Sequence, residues 1–306
     1  MLLFIIYSLL FSINFINAYY WHTSIYKTNT TIAVQYLSSS YSLGCPLEEI
    51  RDWSCDWCIQ HQNQYLKPYE FIYSDITNTF SSILIDNIEK NIIVVFNYTD
   101  FNNLVGDLFY TKCIPDNSTV FKKYYEKEIP LINVKNICIG DYYEQLYLSV
   151  NYELYYNVLN AIIQYPDYSF VFTGYSVGGA LTTIAAIDLK LKFDIKVKNV
   201  YTFGSPRVGN LEFTKLFYKY IGNSFRMTNN NDIIPRLPLQ EKGFNHVSTE
   251  VWRISDDKDI INEKYINCIN TNGFNEYKKC IGSLDETELN LEDHFNYMNL
   301  NYKCKN

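Results

Sequence analysis

With 306 residues, 47% of them hydrophobic and 19% charged, the chain can bury a large core, which excludes global disorder. A net charge of −7 and no basic stripe argue against a nucleic-acid partner. The 29 tyrosines mark no binding stripe of their own, since Asn, Ile and Lys are abundant as well.

Residues 1–18 carry no Asp, Glu, Lys or Arg, and Leu2–Phe15 is a short apolar run. This resembles a secretory signal peptide cleaved after Ala18, which implies a secreted protein. The alternative is a membrane anchor, for which the run is short. All eight cysteines lie beyond Ala18, as expected for up to four disulfides in an oxidising compartment. Cys55-Asp-Trp-Cys58 has no second close Cys/His pair to complete a metal site and no thioredoxin-like setting, so it reads as a structural disulfide. Asn29-Thr30-Thr31 and Asn117-Ser118-Thr119 are sequons, expected to be exposed and glycosylated at Asn29 and Asn117.

Along the chain, Thr28–Leu43 reads as a helix ended by Cys45-Pro46. Phe71–Tyr73 and Ser81–Ile85 read as short strands, and Asn91–Tyr98 as a strongly apolar, buried one. Thr99–Pro115 is a loop with a short apolar segment at Leu104–Phe109. Leu146, Val150, Leu154, Val158 and Ile162 recur every four residues, which predicts one long helix over Asp141–Tyr165. Strands follow at residues 170–173, Lys198–Phe203, Ser224–Thr228 and Val247–Ile254, with helices after the first and over Asn210–Tyr220. The tail from Cys268 to Cys304 is loop-rich. Strands alternating with helices predict an α/β fold with a mostly parallel sheet covered on both faces. No repeat or low-complexity linker interrupts it, so residues 19–306 read as one domain.

Gly174-Tyr175-Ser176-Val177-Gly178 matches G-x-S-x-G between a predicted strand and a helix of small residues. Such an elbow holds a serine hydroxyl clear of the backbone, with flanking glycines where strand and helix pass closely. The free N–H groups of the helix start can meet a developing oxyanion. A serine becomes a nucleophile only beside a base, and the base needs an orienting carboxylate. For this type of site the chain order is Ser, acid, His. His22 and His61 precede Ser176, which leaves His246 and His294. Asp232 follows a strand directly and is the candidate acid. Asp188 and Asp194 lie on or near the elbow helix, and Asp256, Asp257 and Asp259 form a charged turn. His294, in a C-terminal loop able to fold back over the sheet, is the candidate base. His246 is expected to be a structural, hydrogen-bonding histidine.

Five ordered blocks resemble the class 3 (fungal-type) lipases of the α/β-hydrolase superfamily. Residues 174–181 (GYSVGGAL) are similar to the family's G-H-S-L-G-G-A-L, and 203–210 (FGSPRVGN) to F-G-S-P-R-V-G-N. Residues 231–238 (NDIIPRLP) are similar to N-D-x-V-P-x-L-P. The segment from Phe244-Asn245-His246-Val247 to Glu250-Val251-Trp252 is similar to Y-x-H-x-G-x-E-V-W, and Asp293-His294-Phe295-Asn296-Tyr297 to D-H-x-x-Y. The resemblance implies an α/β-hydrolase fold stapled by disulfides and a Ser176–His294–Asp232 triad. It implies a secreted serine hydrolase of acylglycerol esters acting at a lipid–water interface, with peripheral contact to lipid surfaces, no metal or organic cofactor, and a monomeric state. A phospholipase or feruloyl-type esterase of the same fold, or a catalytically weak lipid- or surface-binding relative, are the alternatives.

The family's oxyanion donors are two backbone N–H groups, which fall here on Val177 and, at the end of an F-R-G-[ST] block, on Thr99. That block reads Phe96-Asn97-Tyr98-Thr99, with Asn for Arg and Tyr for Gly. If the backbone needs a positive φ at Tyr98, a tyrosine is strained there, and its bulk narrows the acyl channel. Asn97-Tyr98-Thr99 is formally a sequon and is expected to be unmodified. Tyr175 stands for the family's His, with its side chain expected to point away from the chemistry at Ser176. Asn103–Leu108 resembles the family's lid, N-W-x-x-D-L. A flap exposing Leu104, Val105, Leu108 and Phe109 at a lipid surface is expected, with an ordinary surface loop as the alternative. The disulfide pairing that fits is Cys45–Cys304, Cys55–Cys58, Cys113–Cys138 and Cys268–Cys280, the first and last resembling bridges of the family.

Overall fold

The computed structural model describes residues 30–61, 63–98, 100, 102–115, 118–124, 134–247, 249–254, 264–268 and 280–304. The expected signal segment 1–18, the oxyanion residue Thr99 and the sequon residues Asn29 and Asn117 lie outside them. Helix α1 (Thr30–Ser42) and two short helices, α2 (Leu47–Arg51) and α3 (Asp56–Ile59), precede strands β1 (Leu66–Ser74), β2 (Thr79–Asp86) and β3 (Asn91–Tyr98). Next come α4 (Leu104–Tyr110), α5 (Thr119–Lys122), α6 (Asp141–Leu148) and α7 (Asn151–Gln164). Strand β4 (Ser169–Tyr175), α8 (Val177–Phe193), β5 (Val197–Phe203), α9 (Leu211–Tyr220) and β6 (Ser224–Asn229) follow. Strands β7 (Thr249–Ile254) and β8 (Lys264–Cys268) and the two-residue strands β9 (Asn296–Tyr297) and β10 (Leu300–Asn301) complete the set.

The first eight strands form one sheet in the order β1 to β8. The pairs from β3 through β7 are parallel, and the antiparallel pairs sit at the two ends of the sheet. A strand covered on both faces needs a near-continuous apolar run, and β3 supplies it from Ile92 to Phe96. Ile92, Val94 and Phe96 point into the core shared with α6, α7 and α8. Ile93 and Val95 point into the opposite core, under α1 and the C-terminal segment.

Helix α1 has no strong apolar stripe, yet Ser38, Ser39, Ser40 and Ser42 are fully buried. Their hydroxyls are satisfied locally or across the packing. Ser40 donates to the Phe96 carbonyl at 2.8 Å, and Ser39 to Asn63 Oδ1 at 3.0 Å. Small hydroxyl residues thereby let the helix approach β3 and β4 without leaving orphaned polar atoms. On the other face, α8 is buried along nearly its whole length.

The expected long helix over 141–165 is two helices. Ser149 donates its hydroxyl to the Leu146 carbonyl at 2.7 Å, and Val150 N–H turns back to Tyr147 at 3.2 Å. A side chain bonding the local backbone competes with helix continuation. Leu146, Val150, Leu154 and Val158 still face inward, so the periodicity survives the break. The apolar segment 104–109 is a helix rather than loop, and β8 adds an antiparallel edge strand where no element was expected. Disulfides join Cys45–Cys304, Cys55–Cys58, Cys113–Cys138 and Cys268–Cys280.

The Cys45–Cys304 bridge spans 259 residues of sequence, against 3 for Cys55–Cys58. Constraint of the unfolded chain grows with the loop closed. Replacing Cys45 and Cys304 together by alanine is expected to cost about 2–5 kcal/mol of stability. Chemical denaturation under non-reducing conditions measures it, and the same change at Cys55 and Cys58 costs clearly less.

Candidate active site

β4 delivers Ser176 to the carboxyl end of the parallel strands, where the chain must reverse into α8. Ser176 makes that turn with φ 57° and ψ −130°, a conformation an L-residue rarely adopts. Two backbone bonds hold it: Ser176 N–H donates to Phe203 O at 2.8 Å, and Gly179 N–H to Ser176 O at 2.9 Å. The start of α8 lies almost on β3. A Cβ at Gly178 would stand 2.5 Å from the Phe96 carbonyl oxygen and 2.8 Å from Asn97 Cα, so only glycine fits.

Asp232 follows β6. Its Oδ1 accepts the Ile234 N–H at 2.9 Å, and its Oδ2 accepts both His294 Nδ1 at 2.8 Å and the Tyr297 hydroxyl at 2.6 Å. His294 Nε2 stands 2.8 Å from Ser176 Oγ. Ser176, Asp232 and His294 are all completely buried. The structure therefore brings together the three residues singled out in the sequence, in one hydrogen-bonded chain. His246 is elsewhere, with Nε2 on the Pro235 carbonyl at 2.7 Å, which is the structural role expected of it.

His294 sits on a short 3₁₀ turn, Glu292–Phe295, and the asparagine run before Asp232 grips it. Asn229 Nδ2 donates to the carbonyls of Asp293 at 2.8 Å and Asn296 at 3.2 Å. Asn230 Nδ2 and Asn231 N–H donate to the Asp293 carboxylate. Asn290 N–H bonds Asn231 O, and Ile233 N–H bonds Asn290 O, closing a bridge between the acid's loop and the histidine's loop. Gly204, at φ +60°, gives the ring its space: a Cβ there would stand 2.9 Å from His294 Cε1. Asn229 and Tyr297 were not singled out as site residues. The polar run abutting Asp232 and the final position of D-H-x-x-Y were the available signals.

Val177 opens α8, where an N–H has no partner within the helix. Tyr98, the neighbour of the expected second donor Thr99, is extended at the end of β3 and pairs with Thr79. It is not among the positive-φ residues, so the anticipated strain is absent. Its ring meets Tyr142 edge-on at 6.1 Å in the same apolar cluster as Leu104 and Leu108. Burial raises the Tyr98 phenol pKa. Asn97 is fully buried, donating to the Tyr302 hydroxyl at 3.2 Å, which leaves no room for a glycan in the folded chain.

In α4, Leu104 and Leu108 are buried, Val105 is half-buried and Phe109 is exposed. Lys242 Nζ lies 3.8 Å from the Phe109 ring centroid and donates to the Phe109 carbonyl. Between α4 and the loop after Asp232 runs a cleft of about 560 Å³, lined by Val105, Phe109, Ile233, Leu237, Leu239 and Leu289 among others. Among the described residues, Glu250, Cys268 and Cys280 form the one grouping with metal-ligand spacing. Both of its cysteines are tied in a disulfide and Glu250 pairs with Arg226 at 3.2 Å, so these residues do not suit a metal.

The family model for lipase (class 3) matches residues 111–242. Over this segment the chain is similar to the class 3 lipases. Secreted mono- and diacylglycerol lipase A of Penicillium cyclopium is 30% identical over 206 residues, 66% of this chain and 60% of the relative. The chain thus spans about 60% of the length of that curated relative. Lipase II from Rhizopus niveus superposes with a TM-score of 0.75 at 21% identity, covering 91% of this chain and 97% of the other. A triacylglycerol lipase described as having a serine protease triad as its catalytic centre gives 0.73 at 25% identity, covering 90% and 96%. The mostly parallel sheet covered by helices is the α/β-hydrolase fold of this family.

Tyr297 is the testable structural member of the cluster. Burial, then the Asp232 charge, holds its phenol well above the ordinary tyrosine pKa, so it stays a donor. Tyr297→Phe leaves a buried carboxylate one bond short. The expected loss is about 1.5–3 kcal/mol of stability, read from the denaturant midpoint, and an unchanged midpoint contradicts the bond's importance.

Proposed function

We propose that the chain is a secreted serine hydrolase that cleaves the carboxylic esters of acylglycerols through an acyl-enzyme. The observation that carries this reading is the unbroken hydrogen-bonded chain from Ser176 Oγ through His294 to Asp232, at the start of a helix. The relatives' names, mono- and diacylglycerol lipase and triacylglycerol lipase, support the choice of ester. The cleft over the loop after Asp232 supports it too: it has room for an acyl chain, on a wall that mixes Val105, Phe109 and Leu237 with Arg207, Arg236 and Glu286.

In this mechanism His294 Nε2 takes the Oγ proton as Oγ attacks the ester carbonyl carbon. Asp232 keeps the imidazole in the tautomer that leaves Nε2 free and stabilises the imidazolium. The carbonyl oxygen, now negative, is received by the N–H groups of Val177 and Thr99. Loss of one such donor costs about 2.7–4 kcal/mol of barrier. The imidazolium gives its proton to the departing glycerol oxygen, and water activated by the same His294 releases the fatty acid.

Helix α4 is the lid in this reading. It buries Leu104 and Leu108 in water and offers them, with Val105 and Phe109, to a lipid surface when it lifts. Complete burial of Ser176 supports a closed state, and the Lys242–Phe109 contact supports a defined resting position. No described helix is long and apolar enough to cross a membrane.

The experiment is fatty-acid release from mono-, di- and triacylglycerols, phospholipids and p-nitrophenyl esters by the protein secreted from its own leader. Acylglycerols are expected to turn over, with a loss of about 10⁴–10⁶-fold in Ser176→Ala and about 10⁴-fold in Asp232→Asn. Turnover restricted to phospholipids or aryl esters would transfer the substrate assignment to those classes. The lid makes a separate prediction: the rate rises sharply once the ester exceeds its solubility and forms an interface. Equal rates on monomeric and emulsified ester remove the lid.

A further inference from the structure

From the sequence, the Tyr175 side chain is expected to point away from the chemistry at Ser176. The structure places it against the histidine instead. The Tyr175 and His294 rings are stacked, with centroids 4.9 Å apart and planes 23° from parallel. The Tyr175 hydroxyl donates to the backbone carbonyl of His294 at 2.6 Å. Tyr175 is completely buried, and its other sides are occupied. Tyr41 from α1 meets it edge-on at 5.0 Å, Tyr302 stacks at 5.1 Å, and Tyr297 meets it edge-on at 5.9 Å. The disulfide from Cys45 to Cys304 joins the segments that follow Tyr41 and Tyr302.

His294 needs such support. A single 3₁₀ turn has little stability of its own, and the ring must present both nitrogens in register. The groups facing the imidazole are the Asp232 carboxylate at Nδ1, the Ser176 hydroxyl at Nε2, the Tyr175 face, and the edges of Phe295 and Tyr297. Asp232 is the one formal charge in that set.

We propose that Tyr175 is a positioning residue for the triad. Its ring and hydroxyl tie the base's loop to the strand that carries the nucleophile, and its ring face favours the imidazolium formed when Nε2 takes the Oγ proton. The inference rests on the triad reading above. It gives a function to the position where this chain has tyrosine in place of the family's histidine. Desolvation holds the Tyr175 phenol well above its usual pKa, so it stays neutral and remains a donor.

The test uses the disulfide-intact secreted protein with Tyr175→Phe and Tyr175→Leu. Labelling rate by a fluorophosphonate, kcat and KM on p-nitrophenyl butyrate, and thermal melting are measured for each. Tyr175→Phe keeps the stack and loses the hydrogen bond, so kcat falls about three- to tenfold with KM unchanged. Tyr175→Leu loses both, and kcat falls about 100-fold, as expected for a misplaced base. A folded Tyr175→Leu with wild-type kcat, altered only in melting, overturns the proposal. If that variant does not fold, wild-type kcat in Tyr175→Phe overturns it. Wild-type protein inert to both probe and ester overturns the triad reading and this inference together. Active wild type with unaffected variants overturns this inference alone.

Discussion

A backbone forced to positive φ at Ser176 is the constraint on which the site depends. Such a conformation costs of order 1–3 kcal/mol and persists only where its surroundings over-determine it. Here β5 takes the Ser176 N–H through Phe203, and α8 begins against β3 at the one spacing Gly178 allows. Burial of α8 along its length fixes the axis whose N-terminus faces the serine. The apolar strands on either side are therefore more than a core. They are the clamp that keeps a weakly favoured turn in place.

The second dependence is polar. A carboxylate buried as completely as Asp232 is tolerable only with its lone pairs taken. The Ile234 N–H, the His294 Nδ1–H and the Tyr297 hydroxyl take them. The loop of His294 is in turn fastened by Asn229, Asn230 and Asn231, the residues immediately before Asp232. Asp232 and His294 are thus held by one continuous network. The C-terminal segment carrying His294 is further drawn onto α1 by the Cys45–Cys304 bridge and the tyrosine cluster around Tyr175.

Much of this could be read in the chain itself, and the limits have physical causes. Asn91–Tyr98 announced a doubly buried strand because Ile92 through Phe96 form an unbroken apolar run, and its bounds are those observed. Ser176, Asp232 and His294 were legible because the chemistry demands an order and few histidines exist to satisfy it. The break at Ser149–Val150 was hidden because both flanking helices keep the same buried face. Helix α1 shows no stripe because its inner face is built from serines whose partners lie far along the chain. The contact of Tyr175 with His294 was hidden for a related reason: the ring that stacks on it comes from a loop 119 residues later.

The central claim is that Ser176 is an activated nucleophile, and the most direct measurement is the site of covalent capture by a fluorophosphonate on the folded protein, located by peptide mass spectrometry. The account predicts a single phosphonyl adduct on the peptide carrying Ser176, and none after unfolding. Folded protein that takes no adduct, or takes it on another residue, would contradict it.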